Sequence, residues 1–159
     1  METPATVKEK KLLRLAIDTV ILLALIPIVF GAYFITQNKL DKKDLMIGGQ
    51  QLKVEIVDRA KTREKGLSGR QNLDQNQGML FIFQAYSRHV FWMKDMIFPL
   101  DMIWLRDGEV IGFEQNLPPG GPGPKISYRP SEDINQVLEV PARFVAQNNI
   151  KIGDRAIIK

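Results

Sequence analysis

Gly78-Met79-Leu80-Phe81, Phe91-Trp92-Met93-Lys94 and Pro99-Leu100-Asp101 follow one another between residues 78 and 101, large apolar side chains with a few charges among them. Short aromatic and branched runs suit a pleated, half-buried surface, so residues 79–83 and 89–94 are expected as strands. Lys94 and Asp101 stand inside this apolar setting, where a charge needs a partner or a purpose. Upstream, Leu52, Val54 and Ile56 alternate with Lys53 and Glu55, the period of a strand with one buried face. Asp58 is placed to cap a short helix that Gly66 ends. Downstream, residues 101–105 and 109–113 flank Asp107-Gly108, a two-residue hairpin signal. Residues 115–131 hold five prolines and three glycines and read as a long loop. Within it Gly120-Gly121-Pro122-Gly123-Pro124 resembles a phosphate loop only superficially, because proline has no amide to offer an anion. Residues 134–140 return to strand, Pro141 can open a short helix to about Asn148, and residues 155–159 make a last strand. Local hairpins and the lack of βαβ spacing predict a mainly β fold of antiparallel sheets, sandwich-like, with two short helices.

The rest of the chain bounds this domain. At 159 residues and 45% hydrophobic content there is room for one core of ordinary size. The net charge of +4 is uneven: Lys8, Lys10, Lys11 and Arg14 crowd the N-terminal region, whereas from residue 50 onward 15 basic residues face 13 acidic ones. A nucleic-acid binder usually carries a basic face, so nucleic acid is not expected as a partner. The absence of cysteine excludes disulfides, thiolate catalysis and cysteine-ligated metal sites. No cofactor is expected, since there is no Walker loop, dinucleotide fingerprint or zinc-hydrolase histidine pair.

Residues 19–38 carry no charge and residues 19–35 are almost wholly apolar. Extended back to Leu15, the run approaches the ~20 residues that cross a bilayer as a helix. The expected organisation is a basic tail at 1–14, a transmembrane signal-anchor helix at 15–35, a linker at 36–49 and a β-rich domain at 50–159. The bilayer is thus an expected partner through residues 15–35. Basic residues before the span favour a cytoplasmic N-terminus and an extracytoplasmic domain, although Lys39, Lys42 and Lys43 weaken that bias. A cleaved signal peptide is the rival, but the apolar run is long and no Ala-x-Ala-like site follows it.

The soluble part resembles a known family, domain of unknown function 192, over residues 51–158. The resemblance rests on Arg63 with Gly66-Leu67, Arg70, Gly78-Met79-Leu80-Phe81, Trp92-Met93-Lys94, Pro99-Leu100-Asp101, Leu138-Glu139-Val140-Pro141 and Gly153-Asp154, in that order. It implies a small β-sandwich of jelly-roll type in a secreted or membrane-anchored protein, and no particular activity. One departure is Ala142-Arg143, where the family usually has a small residue and glycine, so the following helix is expected to start differently.

Charged residues embedded in these motifs are the candidate ligand-binding set: Arg63, Arg70, Lys94, Asp101 and Glu139, with Trp92 as a flat wall. Arg and Lys can hold a carboxylate, phosphate or acidic sugar, and an aromatic face can stack on a sugar ring. The leading expectation is therefore a small-ligand or glycan-binding accessory module rather than an enzyme. Each of these charges also has a structural explanation as an ion pair or a cap. Three alternatives stand beside it. Asp101 and Glu139 could serve as the acid and base of a glycoside hydrolase if the fold brings them within ~5–10 Å. His89, Met93 and Met96 could hold Cu(I), though methionines in an apolar strand are commonly core filler. A flat apolar patch around Trp92 would instead mark a protein-interaction module.

Overall fold

The computed structural model describes residues 7–37, 40–120 and 126–159, in two units, Met1–Lys39 and Leu40–Lys159. In the first, the uncharged run forms α1 (Val7–Gln37), with Pro27 inside it. The window Arg14–Gly31 is long and apolar enough to cross a membrane, a test that a signal sequence also passes. Helix extends further than expected on both sides, taking in residues 7–14 of the basic tail and Thr36 and Gln37 of the linker.

In the second unit the strands are β1 (Lys42–Ile47), β2 (Gln50–Val57), β3 (Gln77–Ser87), β4 (Phe91–Trp92), β5 (Leu100–Arg106), β6 (Glu109–Leu117), β7 (Ser127–Tyr128), β8 (Ile134–Pro141) and β9 (Ile157–Ile158). Two short helices, α2 (Ala60–Lys65) and α3 (Phe144–Gln147), interrupt them. Seven strands form one sheet in the order β6-β5-β8-β3-β2-β1-β9, and β4 pairs with β7 apart from it. The fold is thus mainly β with two short helices, as expected. The β1 strand lies where a linker to residue 49 was expected, because Leu45 and Ile47 alternate into the core while Gly48 and Gly49, both at positive φ, turn the chain into β2.

Antiparallel pairing is broken once, at β2 and β3, which run parallel with α2 in the crossover. That βαβ unit was not expected, since α2 has six residues and an irregular stretch completes the connection. The charged side chain at Asp58 does not cap α2. Arg59 is the N-cap without a side-chain bond, and the Arg63 guanidinium donates to the Asp58 carbonyl and to that of Ile82 at 3.0 Å, fastening α2 to β3. The expected strand at residues 89–94 is reduced to β4, and the proline-rich loop contributes β7, with Phe91 opposite Tyr128. Of that loop, residues 121–125 lie outside the described residues.

Both faces of the sheet are covered, which is why its central strands are apolar on both sides. On one face Leu52, Val54, Leu80, Ile103, Leu138 and Val140 pack under α3 with Phe144 and Val145. On the other, Met79, Phe81, Met102, Trp104 and Val137 pack under Leu67, Met93 and Met96. The hairpin at Asp107 and Gly108, with φ of 50° and 77°, has the left-handed pair that a type I′ turn demands. Beside it the sheet curls toward closure: the Val110 amide donates to the Asp154 carbonyl at 2.9 Å and the Ala156 amide to that of Gly108 at 2.7 Å.

Candidate functional site

Strand register decides where each charge points. On the second face, Glu55 pairs with Met79, Met79 with Glu139, and Glu139 with Met102, so two carboxylates fall in one transverse row. Asp101 pairs with Val140 and therefore faces the opposite way. One residue along a strand separates Asp101 from Met102, and that step carries it through the sheet.

Asp101 is fully buried and its carboxylate is consumed by the backbone. Oδ1 accepts from the amides of Asn116 at 2.8 Å and Arg143 at 3.1 Å, and Oδ2 from that of Val145 at 2.9 Å. It thus holds the β8–α3 connection against the end of β6. Pro141 closes β8 rather than opening a helix, and Arg143 is the N-cap of α3 in the left-handed conformation, φ 71°. Glycine adopts that conformation freely and arginine at a cost of ~1 kcal/mol, so the departure at Ala142-Arg143 is a strained start to the helix. Asp101 and Glu139 lie on opposite faces of the sheet, so the fold does not bring together the pair expected for a glycoside hydrolase.

Glu139 is the reverse case. It is 5% exposed, and no described residue hydrogen-bonds its carboxyl. Burial pushes the carboxyl up to about 8, against a smaller pull downward from the nearby Arg70 charge, so it is mostly protonated at neutral pH. Arg70 does not pair with it because its guanidinium grips both oxygens of Glu55, whose acidity is strengthened first by that hydrogen bond; Lys42 adds a contact at 3.5 Å.

Glu139 opens into a cleft of about 320 Å³ between α2, β3 and β4. Arg63 and Lys65 of α2, Phe81 and Phe83 of β3, and His89, Phe91 and Trp92 line it. Phe91 makes edge contacts with Phe81 at 5.1 Å and Trp104 at 5.8 Å, His89 stacks on Phe83 at 3.7 Å, and the Arg63 guanidinium lies 5.0 Å over Phe83. These contacts make the aromatic wall a fixed surface. Gly66 ends α2 with φ 47°, and a Cβ there would stand 3.3 Å from Phe81, so the helix can approach the wall closely. The loop after α2 is tied to the Trp92-Met93-Lys94 segment by Ser68 Oγ donating to the Lys94 carbonyl at 2.9 Å and the Gly69 amide to that of Asp95 at 3.0 Å.

Of the six residues singled out from sequence, Arg63, Trp92 and Glu139 line the same cleft. Lys94 stands at its edge, with Nζ 5.7 Å from the half-exposed Trp92 ring. Arg70 acts from behind, on Glu55 and the charge state of Glu139. Phe81, Phe83 and Phe91 were missed as wall residues because periodicity assigns them to core, and only register distinguishes the open end of that core. The proposed copper set does not assemble: Met93 and Met96 are buried in the second cluster, and only His89 and Met96 reach the cleft. Among the described residues no group of three or more His, Asp or Glu gathers for a metal ion.

Comparison with known proteins agrees with this architecture. The model of the DUF192 family, described as uncharacterised ACR, matches residues 43–158. A crystal structure of a candidate transcription regulator from Sinorhizobium meliloti 1021 is similar at 28% identity and a TM-score of 0.68, covering 76% of this chain and 95% of that one. A protein of unknown function from Novosphingobium aromaticivorans DSM 12444 shares the fold at 24% identity and a TM-score of 0.70, covering 76% of this chain and 87% of that one. No curated protein matches the chain.

Proposed function

The chain belongs to the DUF192 family, and on that premise we propose that its β domain is a small-ligand-binding module whose site is the cleft between α2, β3 and β4. The single observation that carries this reading is Glu139: a carboxyl nine-tenths buried, without a hydrogen-bond partner among the described residues, open to an aromatic-walled cleft. Its oxygens open to the cleft rather than being sealed in the core, so water can bond them there and a ligand's hydroxyl or carboxylate can take that water's place. The volume suits one or two rings, and Trp92 offers a face for stacking. In this reading α1 anchors the module in a membrane, with the domain on the extracytoplasmic side, supported by the basic residues before the apolar run. The near balance of charge from residue 50 onward favours a small ligand over nucleic acid.

The test is ligand-observed NMR on the full chain in detergent micelles against neutral sugars, sugar acids, aromatic acids and nucleotides. A binder whose signal is lost on Trp92→Ala, with folding unchanged, is the expected result. A panel without any binder, or binding indifferent to Trp92, would overturn the assignment.

A further inference from the structure

Resting on the membrane anchor proposed above, and not on the ligand, we propose that the outer face of β4 docks the domain onto an anionic bilayer surface. Side chains alternate across the β4–β7 ribbon. Phe91 and Met93 turn inward to the second core cluster, whereas Val90 and Trp92 are 53% and 47% exposed, with Lys94 exposed beyond them. Ile126, which precedes the residue paired with Trp92, is 61% exposed. Single exposed apolar residues are ordinary, but three of them on one short ribbon make a surface. Other segments hold that ribbon in place: the Ser68 hydroxyl donates to the Lys94 carbonyl at 2.9 Å, and a Cβ on Gly120 would run into the Met93 carbonyl. The apolar row is thus fixed facing outward.

A bilayer surface is the occupant whose chemistry these residues match. Tryptophan favours the headgroup layer, where its ring is in apolar surroundings and its N–H stays wet. Lys94 Nζ lies 5.7 Å from the Trp92 ring, so its stem can follow the apolar layer while the ammonium reaches lipid phosphates. Arg63 and Lys65 line the cleft with Val90 and Trp92, and Arg129 follows Tyr128, the partner of Phe91. With Lys94 these cations outnumber Glu64 and Asp95, a local positive excess in a domain whose charges otherwise nearly balance.

Reach favours the same partner. Residues 38–41 alone separate the end of α1 from the start of β1, and four residues span at most ~14 Å. Leu40, within that tether, packs on the same core cluster as Phe91 and Tyr128. The chain therefore enters the domain on the sheet face that carries the ribbon, and a bilayer holding α1 is offered to that face at high effective concentration. Because Val90 and Trp92 also line the cleft, docking would turn its mouth toward the headgroup layer.

The experiment places the full chain, one copy per nanodisc, in phosphatidylcholine with phosphatidylglycerol, with or without lipid brominated near the headgroup end of its acyl chains. Bromine quenches tryptophan only at close approach. The chain has two tryptophans and Trp104 is buried, so the difference between wild type and Trp92→Phe isolates the emission of Trp92. Brominated lipid is expected to dim that emission about twofold, and Lys94→Glu combined with Ile126→Asp, both at exposed positions, to remove most of the dimming. Emission indifferent to bromine overturns the docking and leaves the anchor and the ligand cleft untouched. Quenching that survives the double substitution overturns the assigned face. Trp92 shielded from acrylamide only when two chains share a nanodisc gives the face to a second copy, and also overturns the proposal. A chain that alkaline carbonate strips from vesicles has no inserted α1, which overturns the anchor and the docking together, while ligand binding in detergent is read separately.

Discussion

Replacing Asp101 should unfold the domain's best-fastened corner without touching its cleft. Its carboxylate accepts three backbone N–H bonds, one from a buried amide, Val145, and two from part-buried amides, Asn116 and Arg143. Asp101→Ala leaves all three donors without the acceptor. A buried donor left unsatisfied costs about 2–3 kcal/mol, and each part-buried one, which water can reach, about 1 kcal/mol, so the loss comes to roughly 4–5 kcal/mol. That is a large share of the ~5–15 kcal/mol by which a domain of this size is stable. Asp101→Asn retains the oxygen that serves Asn116 and Arg143 but turns an amide NH2 toward the Val145 N–H, a donor facing a donor, and should lose about 2 kcal/mol. Urea unfolding of the full chain in detergent, followed through the buried Trp104, measures both. A loss below about 1 kcal/mol for Asp101→Ala, or loss of ligand with stability intact, would refute the reasoning.

Two further outcomes follow from the same packing. Because burial raises Glu139 from 4.5 to about 8, the folded chain holds a proton between those values that the unfolded chain releases; its contribution to stability falls as pH rises through that window and is level above it. At ~1.4 kcal/mol per pH unit, Glu139→Gln should gain a few kcal/mol on the wild-type chain between pH 5 and pH 8, and parallel stability profiles would contradict the buried, unpaired carboxyl. At Gly108, with φ 77°, an added Cβ would lie 2.8 Å from the Ala156 backbone oxygen, so Gly108→Ala should cost about 2 kcal/mol and speed amide exchange at Val110 and Ala156, where the sheet curls closed. Unchanged exchange there would mean that the closing contact is not formed in solution.

The elements with a local signature were legible in the chain. Alternation of Leu52, Val54 and Ile56, the Asp107-Gly108 turn and the uncharged run within α1 each follow from a few neighbouring residues, because strand period, left-handed turn geometry and bilayer thickness are short-range constraints. The parallel β2–β3 pairing was not legible, since nothing local in two strands specifies that they lie side by side across a six-residue helix and a loop. Among charges, composition and motif marked Arg63, Arg70, Asp101 and Glu139 alike. Only tertiary register divided them: Asp101 paired with Val140 and so turned toward backbone amides, Glu139 paired with Met102 and so turned toward the cleft, and Arg70 was drawn to Glu55 and left Glu139 without its counter-ion. A charge's role depends on which face it reaches and which partner gets there first, and both are set by strands distant in sequence, whereas the apolar period that builds those strands is written locally.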